Sequence, residues 1–465
     1  YATSTYRNTI VEGRAFLATL DVGGLYANLT PGQLMPELDS WCFDVTRQPG
    51  DYEIIRTAAG YRAHKGQKGA GIDQIGILTD TFNNMKNVLK NTLLEIKEDY
   101  MKPLCIGEKV AKVPIIQGGM GVGVSRSSLA GAVAAEGGVG IISTAQIGYD
   151  EEGFEKDQAG CNLLGIRKHI ARAKEIAKGK GLIGVNVMVA LKHYKEHVKA
   201  AVEAGADVII CGAGLPLDLP ELVAKSATKI APIISSTRAC ELIMKMWDKK
   251  YQRTADFLIF EGPKAGGHLG FSLEQLGGLG YIPQNKGEVS HQEEVFDTDA
   301  EIKNIISAKA KYEEKYHCKI PLIVAGGIFE RKDVEHAMDL GADGVQVASR
   351  FVTTHECDAS EAYKQAYVNA TDSDIKIIKS PVGMPGRALY NEFIGNVEKG
   401  LMPVKKCYQC LEKCNPAQIP YCITKALIEA VKGNVEEGLI FCGANVGRIN
   451  EIVSVHELMQ ELSGE

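Results

Sequence analysis

The sequence predicts an α/β protein built on a (β/α)8 barrel over residues 101–378, with an N-terminal extension over 1–100 and a Cys-rich helical segment over 379–465. Three observations carry this. From Lys112 to Phe351, eight short apolar runs alternate with segments of helical periodicity, in the order and span of a barrel of about 250 residues. Gly205-Ala206-Asp207 and Gly341-Ala342-Asp343 repeat one pattern, a helix-stop glycine just before an apolar run. Glycine-rich connections recur after several runs, whereas an open doubly wound sheet, the structural alternative, concentrates them at one switch point.

Taken in order, the first hundred residues stand apart. Thr30-Pro31-Gly32 and Gln48-Pro49-Gly50 read as turns, and residues 64–71 (HKGQKGAG) as a flexible basic stretch. Ile75, Leu78, Phe82, Met85, Val88, Leu89, Leu93 and Ile96 form the apolar stripe of one amphipathic helix. No motif there assigns a function. Barrel strands are expected at Val113–Gln117, Val139–Ser143, Leu182–Met188, Val208–Cys211, Ala231–Ser235, Ala255–Phe260, Ile320–Ala325 and Gly344–Ala348. Helices are expected at Ser127–Glu136, Leu164–Lys178, Lys192–Ala204, Ala239–Lys249, Asp299–Tyr316 and Arg331–Leu340. The sixth connection is long and broken by Gly277-Gly278-Leu279-Gly280 and Pro283; a lid and a plain surface elaboration are equally open readings.

Composition excludes several classes. The 465 residues are 45% hydrophobic and 24% charged, ordinary for a soluble globular protein. A net charge of −6 gives no electrostatic reason for nucleic acid or an anionic membrane as partner. No apolar run is long enough to span a bilayer. Twelve cysteines, four of them crowded between Cys407 and Cys422, suit a reducing, cytoplasmic compartment and a metal site better than a disulfide framework. A homo-oligomer is left open.

The chemistry is read from the loop Glu261-Gly262-Pro263-Lys264-Ala265-Gly266-Gly267-His268-Leu269-Gly270. It follows the sixth apolar run, at the strand end where barrel enzymes carry their catalytic groups. Gly266 and Gly267 let the backbone approach a flat ligand, and His268 is the residue type suited to proton movement near neutral pH. A glycine-rich connection with a surface histidine is the bland alternative. After strands seven and eight come Gly326-Gly327 and Gln346-Val347-Ala348-Ser349-Arg350, the two loops that most often cradle phosphate in this fold. Arg350 fits either added charge or a structural ion pair. Gly118-Gly119-Met120 after strand one and Asn186 in strand three offer backbone donors and a carboxamide to a flat isoalloxazine edge.

Together the motifs VPIIQGGMG, GVNVM, CGAGLP, EGPKAGGHLG, VAGGI and GVQVASRF resemble the nitronate monooxygenase (2-nitropropane dioxygenase) family and its sister group, the FMN-dependent enoyl-acyl-carrier-protein reductases. The resemblance runs from about Lys112 to Phe351. It implies an FMN-bound barrel with flavin contacts at Met120, Asn186, Glu261, Gly266, Gly327, Gln346, Val347, Ala348 and Ser349, and a catalytic histidine at His268; the glycine loops read above add Gly119, Gly267 and Gly326 as cofactor contacts. Many relatives carry glutamine where this chain has Glu261, and Gly-Thr or Gly-Ser where it has Ala348-Ser349. A carboxylate at a flavin edge disfavours an anionic reduced ring unless it is protonated or paired; Lys264 is one candidate partner.

Three functional readings follow. In the first, alkyl nitronates are oxidised with oxygen. In the second, NAD(P)H reduces FMN, which reduces an enoyl-acyl thioester; with no Rossmann fingerprint in the chain, the nicotinamide binds at the barrel mouth. The third is a non-catalytic flavin-binding sensor. In the C-terminal segment, Ser380–Arg387 is rich in turn residues and is expected to fold back across the mouth. Cys407, Cys410, Cys414 and Cys422 fit an iron–sulfur cluster or a tetrahedral zinc ion, against free structural thiols.

Overall fold

The computed structural model describes residues 52–57, 60–65, 101–282, 296–400 and 402–464. The chain forms two compact units, Tyr1–Tyr100 and Met101–Glu465. In the first, Tyr52–Thr57 and Gly60–Lys65 pair as an antiparallel hairpin. The turns expected at 30–32 and 48–50, the helix expected at 75–96 and the break at Pro283 lie outside the described residues.

The second unit is a closed barrel of eight parallel strands: β1 Ile115–Gln117, β2 Val139–Ser143, β3 Leu182–Met188, β4 Val208–Gly212, β5 Lys229–Ile234, β6 Leu258–Glu261, β7 Leu322–Ala325 and β8 Gly344–Val347. Every expected strand is present, with ends shifted by up to three residues. Helices α1 Ser127–Ala135, α2 Gln158–Ala177, α3 Tyr194–Glu203, α4 Leu219–Leu222, α5 Thr237–Tyr251, α6 Thr298–Tyr316 and α7 Arg331–Asp339 fill the connections. α2 starts six residues before its apolar periodicity, because Asp157 caps it by accepting the Gly160 N–H.

Strand parity builds two cores. Val139, Ile141, Leu182, Val208, Ile210, Ile259 and Ile323 point inward and fill the barrel. Their neighbours Ile142, Ile183, Val185, Ile209, Leu258, Phe260, Leu322 and Val345 point outward beneath the helices. The hairpin Leu104–Ile106/Lys109–Ala111 adds Leu104, Ile106 and Ala111 to the inner cluster. The Gly-Ala-Asp repeat explains itself here. Asp207 accepts the Ile183 N–H at 3.0 Å, and Asp343 accepts the Leu322 N–H at 2.9 Å. Asp256 does the same for Ile230 at 2.8 Å. Each carboxylate, standing just before an even-numbered strand, ties off the start of the strand before it.

Beyond β8 lie a short helix Ser349–Val352, α8 Glu361–Val368, β9 Ile375–Lys379, β10 Pro385–Leu389, α9 Ile423–Lys432 and α10 Val455–Ser463. β10 pairs antiparallel with β9 and with the two-residue strand Gly267–His268, so this segment is woven into the barrel unit. Among the described residues no helix is long and apolar enough to cross a membrane.

Removing one of the strand-start carboxylates tests this arrangement. Asp343→Ala is expected to destabilise the protein by about 1–3 kcal/mol, the cost of stranding an amide that bonded to a charged acceptor. Asp343→Asn, which keeps an acceptor oxygen, recovers most of that. The urea midpoint is the readout, and an unchanged midpoint in the alanine variant contradicts the assignment.

Candidate active site

The barrel mouth encloses a cavity of about 430 Å³, within the range that holds a drug-sized or nucleotide-sized ligand. Its floor comes from inward positions at the strand ends: Asn186 and Met188 on β3, Glu261 on β6, Ala325 on β7 and Gln346 on β8. Of the residues singled out in the sequence, Gly119, Met120, Asn186, Glu261, Gly266, Gly267, His268, Gly326, Gly327, Gln346, Ala348 and Ser349 all line this one cavity. Val347 does not. It has outward parity and is 1% exposed among core residues; its carbonyl accepts the Gly118 N–H at 2.8 Å.

Glycine is required at two places. A Cβ on Gly119 would stand 2.4 Å from the Asn186 Cβ, so the first strand's exit can pass over Asn186 only without a side chain. Gly326 and Gly327 have φ of +90° and +103°, and they present bare backbone to the cavity. Arg350 is a structural arginine: it pairs with Glu461 at 2.6 Å, donates to the Phe329 carbonyl at 2.8 Å and lies over the Phe329 ring. Lys264 leaves Glu261 unpaired. It is exposed, and its aliphatic stem runs past Gly327.

Two titratable groups face the cavity in unusual states. Glu261 has no hydrogen-bond or ionic partner among the described residues, and burial pushes its carboxyl from 4.5 up to about 8. Burial also pushes His268 from 6.5 down to about 4, so the imidazole is neutral across the physiological range. The His268 ring is held from two sides. Its Nε2 lies 2.7 Å from Ser380 Oγ, and its ring meets Phe441 edge-on with centroids 4.9 Å apart.

The other half of this wall is remote in sequence. Ser380 opens the turn-rich stretch expected to cross the mouth, whereas Phe441, Cys442, Gly443 and Asn445 belong to no motif and were not anticipated. They reach the site because β10 pairs with Gly267–His268. Ser349 Oγ accepts the Gly443 N–H at 2.9 Å, and Asn445 donates to the Gly327 carbonyl at 2.8 Å. The turn-rich stretch after Ser380 does cross the mouth, where Val382 and Met384 line the cavity. Arg387 is 1% exposed and anchors the crossing by donating to the Ala265 carbonyl.

The four C-terminal cysteines gather around a neighbouring hollow, and Cys410 lines the mouth cavity as well. Cys407, Cys410, Cys414 and Cys422 surround a second hollow of about 170 Å³. All are free thiols. Among the described residues no three His, Cys, Asp or Glu side chains are grouped so as to hold a metal ion.

A closed (β/α)8 barrel with a pocket at the C-terminal ends of its strands, lined by glycine loops and a half-buried histidine, defines an enzyme of the barrel class. Comparison with known proteins narrows the class. The family model of nitronate monooxygenase matches residues 103–465, and the chain belongs to that family. It is therefore an oxidoreductase. A probable nitronate monooxygenase of Bacillus subtilis (strain 168) is 23% identical over 376 residues, covering 76% of this chain and 95% of that one. FabK from Thermotoga maritima superposes with a TM-score of 0.54 at 25% identity, covering 75% and 91% of the two chains. Nitroalkane oxidase from Streptomyces ansochromogenes gives 0.56 at 18% identity over 76% and 95%, a likeness of fold.

The unpaired carboxyl has a measurable consequence. In the folded chain Glu261 stays neutral up to about pH 8, whereas the unfolded chain ionises it above about 4.5. The unfolded state therefore binds fewer protons in that window, and stability contributed by the neutral acid is lost as pH rises from about 4.5 to about 8. Glu261→Gln is expected to match the parent in thermal unfolding at pH 4.5 and to exceed it by about 2 °C or more at pH 8.5. Equal melting at both pH values contradicts a neutral, unpaired carboxyl.

Proposed function

We propose that the mouth cavity binds FMN and that the protein oxidises alkyl nitronates with molecular oxygen. The residues fit the cofactor. Gly326-Gly327 and Ala348-Ser349 bring backbone to the cavity, as a phosphate needs. Asn186 and the Gly119–Met120 backbone line the same cavity, as a flavin edge needs. Bound there, the flavin would take the electrons given up by the nitronate and deliver them to oxygen.

The observation that carries the reading is the state of His268. The Val382 N–H already donates to Ser380 Oγ, at 3.3 Å. Among the described residues, the Ser380 hydroxyl proton has one acceptor, His268 Nε2 at 2.7 Å. We assign the lone pair to Nε2 and the proton to Nδ1, the tautomer in which the Ser380 hydroxyl donates to the ring. A neutral imidazole in this tautomer offers Nδ1–H to the cavity as a donor. That suits holding an anionic nitronate oxygen better than deprotonating a neutral nitroalkane. Glu261 in its neutral form adds an O–H donor and brings no negative charge to repel the anion.

Oxygen uptake with propyl-2-nitronate, in the absence of NADH, tests the activity. NADH oxidation with a crotonyl thioester and no response to nitronate would overturn the reading in favour of an enoyl reductase. FMN binding with turnover of neither substrate would overturn it in favour of a sensor. His268→Ala is expected to retain FMN and lose about 100- to 1,000-fold in kcat/KM for the nitronate, as for removal of one donor to a developing or bound oxyanion. Unchanged turnover removes His268 from the chemistry.

A further inference from the structure

We infer that Cys407, Cys410, Cys414 and Cys422 form a four-thiolate site for an iron–sulfur cluster set against the wall of the mouth cavity. The spacing Cys-x2-Cys-x3-Cys-x7-Cys is of the kind that supplies four thiolates from one short segment. The fold brings all four around one hollow of about 170 Å³.

Two local features face the sulfurs, and a third holds the segment in place. The Gln409 N–H donates to Cys407 Sγ at 3.4 Å, and Gln409 adopts a φ of +48° to close that turn. A main-chain amide aimed at sulfur stabilises the anion. Cys422 is the N-cap residue of the ten-residue helix α9, whose positive end favours a thiolate. The segment is fixed to the barrel rim rather than free: the Lys192 N–H donates to the Cys410 carbonyl at 3.1 Å, the Glu412 N–H to the Ala190 carbonyl at 3.0 Å, and Leu191 bridges to Leu411.

In a cubane cluster each thiolate binds a different iron, and all four cysteines line the one hollow. Cys410, Leu411 and Ile423 line both this hollow and the mouth cavity, so a cluster here shares a wall with the active site.

The site stands on the cysteines and does not rest on the nitronate reading. The test uses the full chain purified without oxygen from iron-replete cells. About four iron and four acid-labile sulfide per chain are expected, with a paramagnetic resonance signal after dithionite reduction. One zinc without sulfide, or no metal, would overturn the proposal. Cys414→Ser and Cys422→Ser are expected to lose most of the iron while Cys318→Ser, an exposed thiol outside the hollow, keeps it. Full iron in the first two variants would overturn the assignment of ligands. Thermal unfolding of each variant shows whether it is folded, and flavin content in the same samples reports the mouth cavity separately.

Discussion

The structure depends on how β1 closes the ring. On one side β1 pairs with β8 through Ile115–Gln117 and Val345–Val347. On the other its main-chain pairing to β2 is confined to Ile116 and Val139. A buried side chain completes that seam. Gln117 is fully buried; its Oε1 accepts the Ile141 N–H at 3.0 Å, and its Nε2 donates to Ser125 Oγ at 2.9 Å. The Ser125 hydroxyl in turn accepts the Met120 N–H at 2.9 Å. One amide thus replaces a missing rung and shapes the Gly118–Met120 turn, so barrel closure and the cavity wall are set by the same network.

Closure also decides what the site contains. Once β8 lies beside β1, the loops after β1, β7 and β8 share one end of the barrel. Parity then sorts side chains without further instruction: Gln346 faces the cavity, and Val347 faces the helices. The same rule puts Glu261 inward at the tip of β6, where it meets no counter-charge. A carboxyl left alone in such a place keeps its proton, and a histidine in similar confinement gives its proton up. The two shifts run in opposite pH directions but have one cause, and together they leave Glu261 and His268 both uncharged.

Much of this was legible in the sequence because it is local. Apolar runs of strand length, helix-stop glycines and glycine pairs after strands are all written in contiguous residues, and all eight strands and the histidine loop could be placed from them. Two things were not wholly so. Helix starts were misplaced where a polar cap precedes the periodic residues, as at Asp157 and Ser236. The far wall of the cavity was legible only in part: the crossing of Ser380–Arg387 was expected, but its antiparallel pairing, His268 with Gly386 and Gly267 with Arg387, was not. No spacing rule links residues more than a hundred positions apart. Phe441, which meets the imidazole edge-on, is such a residue. The cysteine spacing was legible, whereas the sharing of Cys410 between two hollows needed the fold.

The central claim is that this cavity is shaped for one mononucleotide flavin. Titration of flavin-free protein with FMN, followed by quenching of flavin fluorescence, measures it most directly. The account predicts saturable binding at one FMN per chain, with riboflavin, which lacks the phosphate for the Gly326–Gly327 end, bound far more weakly. No quenching by FMN, or equal affinity for the two, would contradict it.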